Sequence, residues 1–164
     1  MVEYRRYLSI AVAVILGIVL QGALILADCK DTPTRAAVEF TKAFYRLDPE
    51  MSERLCKKYL NGDDSNVVEQ YILKVSNEAR DRGLGLNYMK NILYGIETHT
   101  HRIDDTTAEV KLTAKRRVAI NPIYALIGKF FLIGKTYQVD VLIPVVKEDG
   151  KWKVCKNLSS LSEV

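Results

Sequence analysis

Three groups of side chains in this sequence have types and spacings that could do chemistry. His99-Thr100-His101 sets two imidazoles two residues apart, and on a strand that spacing puts both on one face with Glu97. Two such ligands can begin a metal site, but zinc needs a third and fourth from elsewhere. The same triplet near a turn is ordinarily solvated surface. Asp140 stands among Val139, Val141 and Leu142, with Tyr137 three residues earlier. A general base in an apolar pocket, with a pKa moved toward the working pH, is what proton-transfer catalysis requires. Asp140 as base and Tyr137 as donor are therefore the catalytic candidates, although strand alternation equally allows Asp140 to face water. The third group is the cysteines Cys29, Cys56 and Cys155. Cys56 and Cys155 fall in separate regular elements, where they either pair in an oxidising compartment or stand as two independent thiols. No Cys-x-x-Cys pair, Ser/His/Asp order or glycine-rich phosphate loop between strand and helix occurs, so no cofactor is expected.

A different kind of site is suggested by "INPIYALIGKFFLIGK". Between Asn121 and Gly134, Ile123, Tyr124, Leu126, Phe130 and Phe131 crowd into it with one charge, Lys129. It is too short to span a bilayer. Lys115, Arg116 and Arg117 precede it and Lys135 follows it. An apolar tip with a basic collar is suited to the headgroup layer of a membrane. A buried connection, a homodimer interface or a lid over a pocket would use the same apolar content.

The elements that must position these residues can be read from periodicity. Thr32-Pro33 marks a helix start, and Ala37, Phe40, Phe44 and Leu47 recur at three- and four-residue steps on one face. Asp48-Pro49 repeats the device and opens a second short helix, with Met51, Leu55 and Tyr59 on one stripe up to Asn61-Gly62. A third helix starts near Asp64 or Ser65, carries Val68, Tyr71, Ile72, Val75 and Ala79 inward, and stops at Gly83. After Gly85 the period becomes two. Strand formers run to a turn at Asp104-Asp105, and a long strand follows with Val110, Leu112, Ala114, Val118 and Ile120 on one face. A third strand places Tyr137, Val139, Val141, Ile143 and Val145 together, and Asp149-Gly150 supplies a tight turn into a last strand through Trp152 and Val154. The tail "NLSSLSEV" reads as polar and fraying. Helices followed by long antiparallel strands argue an α+β domain.

The run from Tyr7 to Ala27 carries no charge over 21 residues, which matches a helix crossing about 30 Å of hydrocarbon. Arg5 and Arg6 place its start in the cytoplasm and the following domain outside. Leu26-Ala27-Asp28-Cys29 resembles a lipobox but has Asp28 where a small residue belongs, so a retained single span is preferred to a lipidated Cys29 or a cleaved signal. The expected layout is a cytoplasmic end at 1–6, an anchor at 7–27, a linker at 28–33, a domain at 34–157 and a polar tail at 158–164. The linker is short enough to hold the domain close to the bilayer. A net charge of +4 is mild and gives no argument for nucleic acid.

"AAVEFTKAFYRLDPEMSERLCKKYL" resembles the first helices of the nuclear transport factor 2-like (cystatin-like cone) superfamily, as it occurs in small exported bacterial proteins. "VVKEDGKWKVC" is similar to the closing hairpin of that fold, and the resemblance covers roughly residues 34 to 156. It implies helices packed on a curved, cone-like sheet, and it settles no activity, since the superfamily hosts isomerases, dehydratases, carriers and secretion scaffolds. The leading expectation is a non-enzymatic extracytoplasmic domain on a cell-membrane anchor, binding a partner protein, a lipid or a small apolar ligand. One alternative is an assembly subunit, because the layout resembles the bitopic scaffold subunit of type IV secretion systems. The other is a pocket enzyme built on Asp140.

Overall fold

The computed structural model describes residues 12–22, 30–60, 67–118 and 136–161. The chain forms two compact units, Met1–Asp31 and Thr32–Val164. In the first, residues 12–22 are helical, and Val14, Ile15, Leu16, Ile18, Val19 and Leu20 are all exposed. A helix that is apolar on every side has no aqueous face of its own. Residues 12–22 span about 16 Å. Among the described residues no helix is long and apolar enough to cross a membrane. The expected span at 7–27 extends beyond them on both sides, and Cys29 also lies outside them.

The second unit begins with α1, Pro33–Arg46. Thr32 caps it, its hydroxyl accepting from the Arg35 N–H at 3.2 Å, and proline occupies the first turn, where a missing N–H costs nothing. Leu47 closes the helix in the left-handed region (φ 54), and the Asp48 N–H reaches back to the Ala43 carbonyl at 2.9 Å. Burial of Leu47 in the core holds that uncommon conformation in place. The inward stripe is Ala36, Ala37, Phe40 and Phe44.

The second helix expected from the stripe Met51, Leu55 and Tyr59 is broken in two. A 3-10 helix covers Pro49–Arg54, capped by Asp48, and α2 is a single turn at Lys57–Leu60. Between them Leu55 is extended and bridges Val154 in parallel, and the Cys56 N–H donates to the Val154 carbonyl at 2.9 Å. The edge of the sheet thus captures a backbone that periodicity alone would keep helical. The third helix, α3, is Val67–Asp81, with Val68 and Ala79 buried and Tyr71 and Ile72 packed on the core. Gly83 ends it at φ +70.

The sheet is an antiparallel meander in the order β1-β2-β3-β4, made of Asn91–Arg102, Thr107–Val118, Tyr137–Glu148 and Lys151–Val154. Asp104 builds the first turn by accepting from the backbone N–H groups of Thr106 and Thr107 at 2.6 and 2.7 Å. Asp149 and Gly150 make the second with φ of 50 and 78, the backbone that a two-residue hairpin demands. In β1 the register slips by one between Tyr94 and Glu97, where Gly95 has φ +57. Two residues, Gly95 and Ile96, then stand opposite Ala114 alone, and a bulge of this kind curves the sheet. One sheet face is core: Ala108, Val110, Leu112 and Ala114 on β2, and Val139, Val141, Ile143 and Val145 on β3, are all buried beneath α1.

Of the tail expected to fray, residues 158–161 are described, and they pack on the core instead. Leu158 and Leu161 are buried in the core, and Ser159–Leu161 is a 3-10 turn. Two leucines three residues apart among serines bring residues 158–161 back onto the core, so this unit continues past residue 157. Phe40 is fully buried at the centre of the cluster. Phe40→Ala is expected to cost about 3–5 kcal/mol of stability, read from the urea midpoint, and a loss below about 1 kcal/mol would contradict this core.

Candidate functional site

Because side chains alternate along a strand, parity sorts every candidate residue onto one face or the other. Asp140 is one residue out of phase with Val139 and Val141, so it lies on the outer face, 3.4 Å from Lys111. Its side chain is 53% exposed. Tyr137, three residues before it, is in phase with the core. The sheet therefore separates the two residues expected to act as base and donor, and among the described residues no apolar pocket surrounds the Asp140 carboxylate. Glu97, His99 and His101 are also exposed on the outer face, opposite Thr113, Lys111 and Glu109. Among the described residues no third ligand joins the two imidazoles.

The basic collar divides by the same rule. Lys115 and Arg117 stand on the outer face, opposite Tyr94 and Ile92. Arg116 continues the phase of Val110, Leu112 and Ala114 and faces inward. Its guanidinium carbon lies 5.7 Å from the centre of the Tyr45 ring and 5.4 Å from that of Tyr137. Tyr137 is its partner across the β2–β3 ladder, whereas Tyr45 comes from the last turn of α1. Among the described residues no carboxylate pairs with Arg116. A planar guanidinium on two ring faces is attracted by the ring quadrupoles, and here it also hydrogen-bonds the Tyr45 hydroxyl. Ile123, Tyr124, Leu126, Lys129, Phe130, Phe131 and Lys135 lie outside the described residues.

Around Arg116 the inner face is aromatic. Phe44 meets Tyr45 edge-on at 5.3 Å, stacks with Tyr71 at 5.2 Å, and lies 6.3 Å from Phe40. Burial pushes the Tyr71 phenol up to about 12, with the Tyr45 and Glu78 charges acting the same way. Burial also raises the Tyr45 phenol, against the opposing pull of the Arg116 cation. Both hydroxyls stay protonated at neutral pH and can donate. The resulting corner has an apolar floor, two neutral phenols and one fixed positive charge.

Tyr45 and Tyr71 did not stand out in the sequence as site residues, since each reads as part of a helix stripe. Arg116 had a legible signal: it is the one charged residue in phase with the buried side of β2. At the far end of the domain, Cys56 and Cys155 form a disulfide with their Cα atoms 5.2 Å apart.

No family model matches the chain, and no curated protein matches it. Among solved structures, the chain is similar to a nuclear transport factor 2-like protein of unknown function from Shewanella oneidensis, at 14% identity and a TM-score of 0.42, over 75% of this chain and 94% of that one.

The raised phenol of Tyr71 has a consequence for pH dependence. Its folded value exceeds the ordinary 10.0, so the unfolded chain ionises first as pH rises. The contribution is whole below pH 10 and is lost as pH climbs toward about 12. Tyr71→Phe is expected to flatten the fall of the urea midpoint over that window, and parallel curves for both proteins would contradict the buried phenol.

Proposed function

We propose that this chain is a membrane-anchored, extracytoplasmic, non-enzymatic binding domain, and that its ligand is a small lipid-like molecule with an apolar body and one anionic group. The observation that carries the reading is Arg116. It is a half-buried guanidinium on the core side of the sheet, flanked by Tyr45 and Tyr137. A buried or half-buried charge is costly without a counter-charge, and a ligand head that supplies one gains charge-assisted hydrogen bonds. The aromatic floor of Phe44, Tyr45 and Tyr71 suits the apolar part of such a ligand. The position of Asp140 on the opposite face counts against an enzyme working at this corner.

Anchoring is supported by the uncharged run from Tyr7 to Ala27 and by the all-round apolar surface of helical residues 12–22. An extracytoplasmic domain is supported by Arg5 and Arg6 before that run and by the Cys56–Cys155 disulfide, a bond that persists in oxidising compartments.

Two outcomes follow. With the full chain in zwitterionic lipid nanodiscs, ligand-observed NMR is expected to show octanoate binding at least about tenfold more tightly than octanol, the factor that 1.4 kcal/mol of head recognition confers. Arg116→Gln should remove the difference. Equal binding of the acid and the alcohol by the unaltered chain would reject the ligand assignment. Alkaline carbonate extraction of membranes is expected to leave the full chain in the pellet, and recovery of a soluble chain beginning after Ala27 would reject the anchor.

A further inference from the structure

The corner opposite Arg116 carries a second, chemically distinct group. The sulfurs of Cys56 and Cys155 and one carboxylate oxygen of Glu148 all lie within 4.8 Å of one another. Cys56 is fully buried, while Cys155 and Glu148 are half-buried. In the disulfide these sulfurs are not metal donors. We infer that reduction of Cys56–Cys155 converts this corner into a binding site for a thiophilic divalent cation of the zinc type, with Cys56 Sγ, Cys155 Sγ and Glu148 as ligands and a fourth position left for water. Two thiolates and a carboxylate are a donor set that zinc accepts in tetrahedral geometry, and their softness selects it over magnesium or calcium.

The inference depends on whether the two sulfurs stay together once their bond is broken. Several other contacts join the same two strips of chain. The Cys56 N–H donates to the Val154 carbonyl at 2.9 Å, and Leu55 bridges Val154. Arg54 donates to the Trp152 carbonyl at 3.3 Å, and the Lys153 ammonium donates to the Glu53 carbonyl. The Lys57 ammonium pairs with Asp149 at 2.7 Å. These ties flank the disulfide on both sides, so reduction leaves a dithiol whose backbone is already held in place. Glu148 is positioned as well. Its Oε2 accepts from the Lys57 backbone N–H at 3.0 Å, and such an outer contact fixes the orientation of a ligating carboxylate. Because the Lys57 ammonium is engaged by Asp149, it does not occupy the Glu148 carboxylate.

The chemistry balances with a dithiol reductant. One reductant thiolate attacks the more accessible Cys155 Sγ and expels Cys56 as thiolate. The second reductant thiol resolves the mixed disulfide, leaving two protein thiols and an oxidised, cyclic reductant. The divalent cation then displaces two protons from the thiols and takes Glu148 as its third ligand. Oxidised and metal-loaded forms exclude one another, so occupancy reports the redox state of the corner.

The test uses the full chain, reduced with a phosphine that is then removed without oxygen, and titrated with cobalt(II) as a spectroscopic stand-in for zinc. The reduced chain is expected to bind one equivalent with thiolate-to-metal charge-transfer absorption, and the oxidised chain none. Glu148→Gln, which keeps an acceptor for the Lys57 N–H, should weaken binding by at least about tenfold. Cys155→Ser should abolish the charge-transfer signal of a two-thiolate site, and Asp81→Asn, at the end of α3 and away from this corner, should leave affinity unchanged. Equal binding by oxidised and reduced chains, or undiminished affinity in Glu148→Gln, overturns the site. Loss of the far-ultraviolet circular dichroism signal on reduction also overturns it, since the ligands are then not held in advance.

Discussion

Ala108, Val110, Leu112 and Ala114 on β2 lie across the ladder from Val145, Ile143, Val141 and Val139 on β3, and α1 covers both rows with Phe40 and Phe44. Full burial of each larger apolar side chain contributes on the order of 1.5–3 kcal/mol. This packing can be satisfied in only one register. A slip of one residue would turn every member of a strand to water. The commitment to that register assigns the remaining residues as well. It turns Arg116 and Tyr137 toward α1 and sends Lys111, Lys115, Arg117 and Asp140 to the opposite side.

The bulge in β1 extends this rule to the histidines. Before it, Leu93 faces the core; after it, Ile96 does, because Gly95 adds one residue and inverts the phase. An unbroken strand would have pointed Glu97, His99 and His101 at the apolar face. Burying three such polar groups without partners would cost several kcal/mol. Gly95 reaches φ +57 at little cost since it lacks a Cβ, and the space where a Cβ would stand is open. The glycine is therefore needed for its backbone and not for clearance. The solvated H-x-H face is a consequence of that turn of phase.

Much of this was legible from residue order. The capped start of α1, its apolar stripe, the alternation of β2 and β3 and the Asp149-Gly150 turn follow from local rules that tertiary contacts reinforce. The split at Leu55 was not legible, because it depends on an edge of β4 located 99 residues away in sequence from its partner residue, and helical spacing continues through it. Leu158 and Leu161 were hidden by the serines around them. The composition of "NLSSLSEV" is that of a loose end, yet two side chains suffice to dock residues 158–161. Arg116 was placed with Lys115 and Arg117 by adjacency in the chain, although adjacent residues on a strand face opposite ways. Its in-phase position with Leu112 and Ala114 was the more informative spacing. Tyr45 cannot be found from its own helix at all, since its role appears only when β2 brings a cation to its ring.

The two chemical corners sit at opposite ends of β3. Tyr137 opens the strand beside Arg116, and Glu148 closes it beside the disulfide. At about 3.3 Å per residue they are roughly 35 Å apart along the chain. Between them β3 presents Val139, Val141, Ile143 and Val145, all buried and all locked to β2. A packed row of β-branched side chains has one arrangement, and coupling between distant sites needs an element with two. A change at the cysteine corner therefore ends within the hairpin and the Pro49–Leu60 segment that it clasps. The 99-residue loop that the disulfide closes is worth on the order of 4–5 kcal/mol of chain entropy. Redox state can thus move the stability of the domain while leaving the geometry around Arg116 in place.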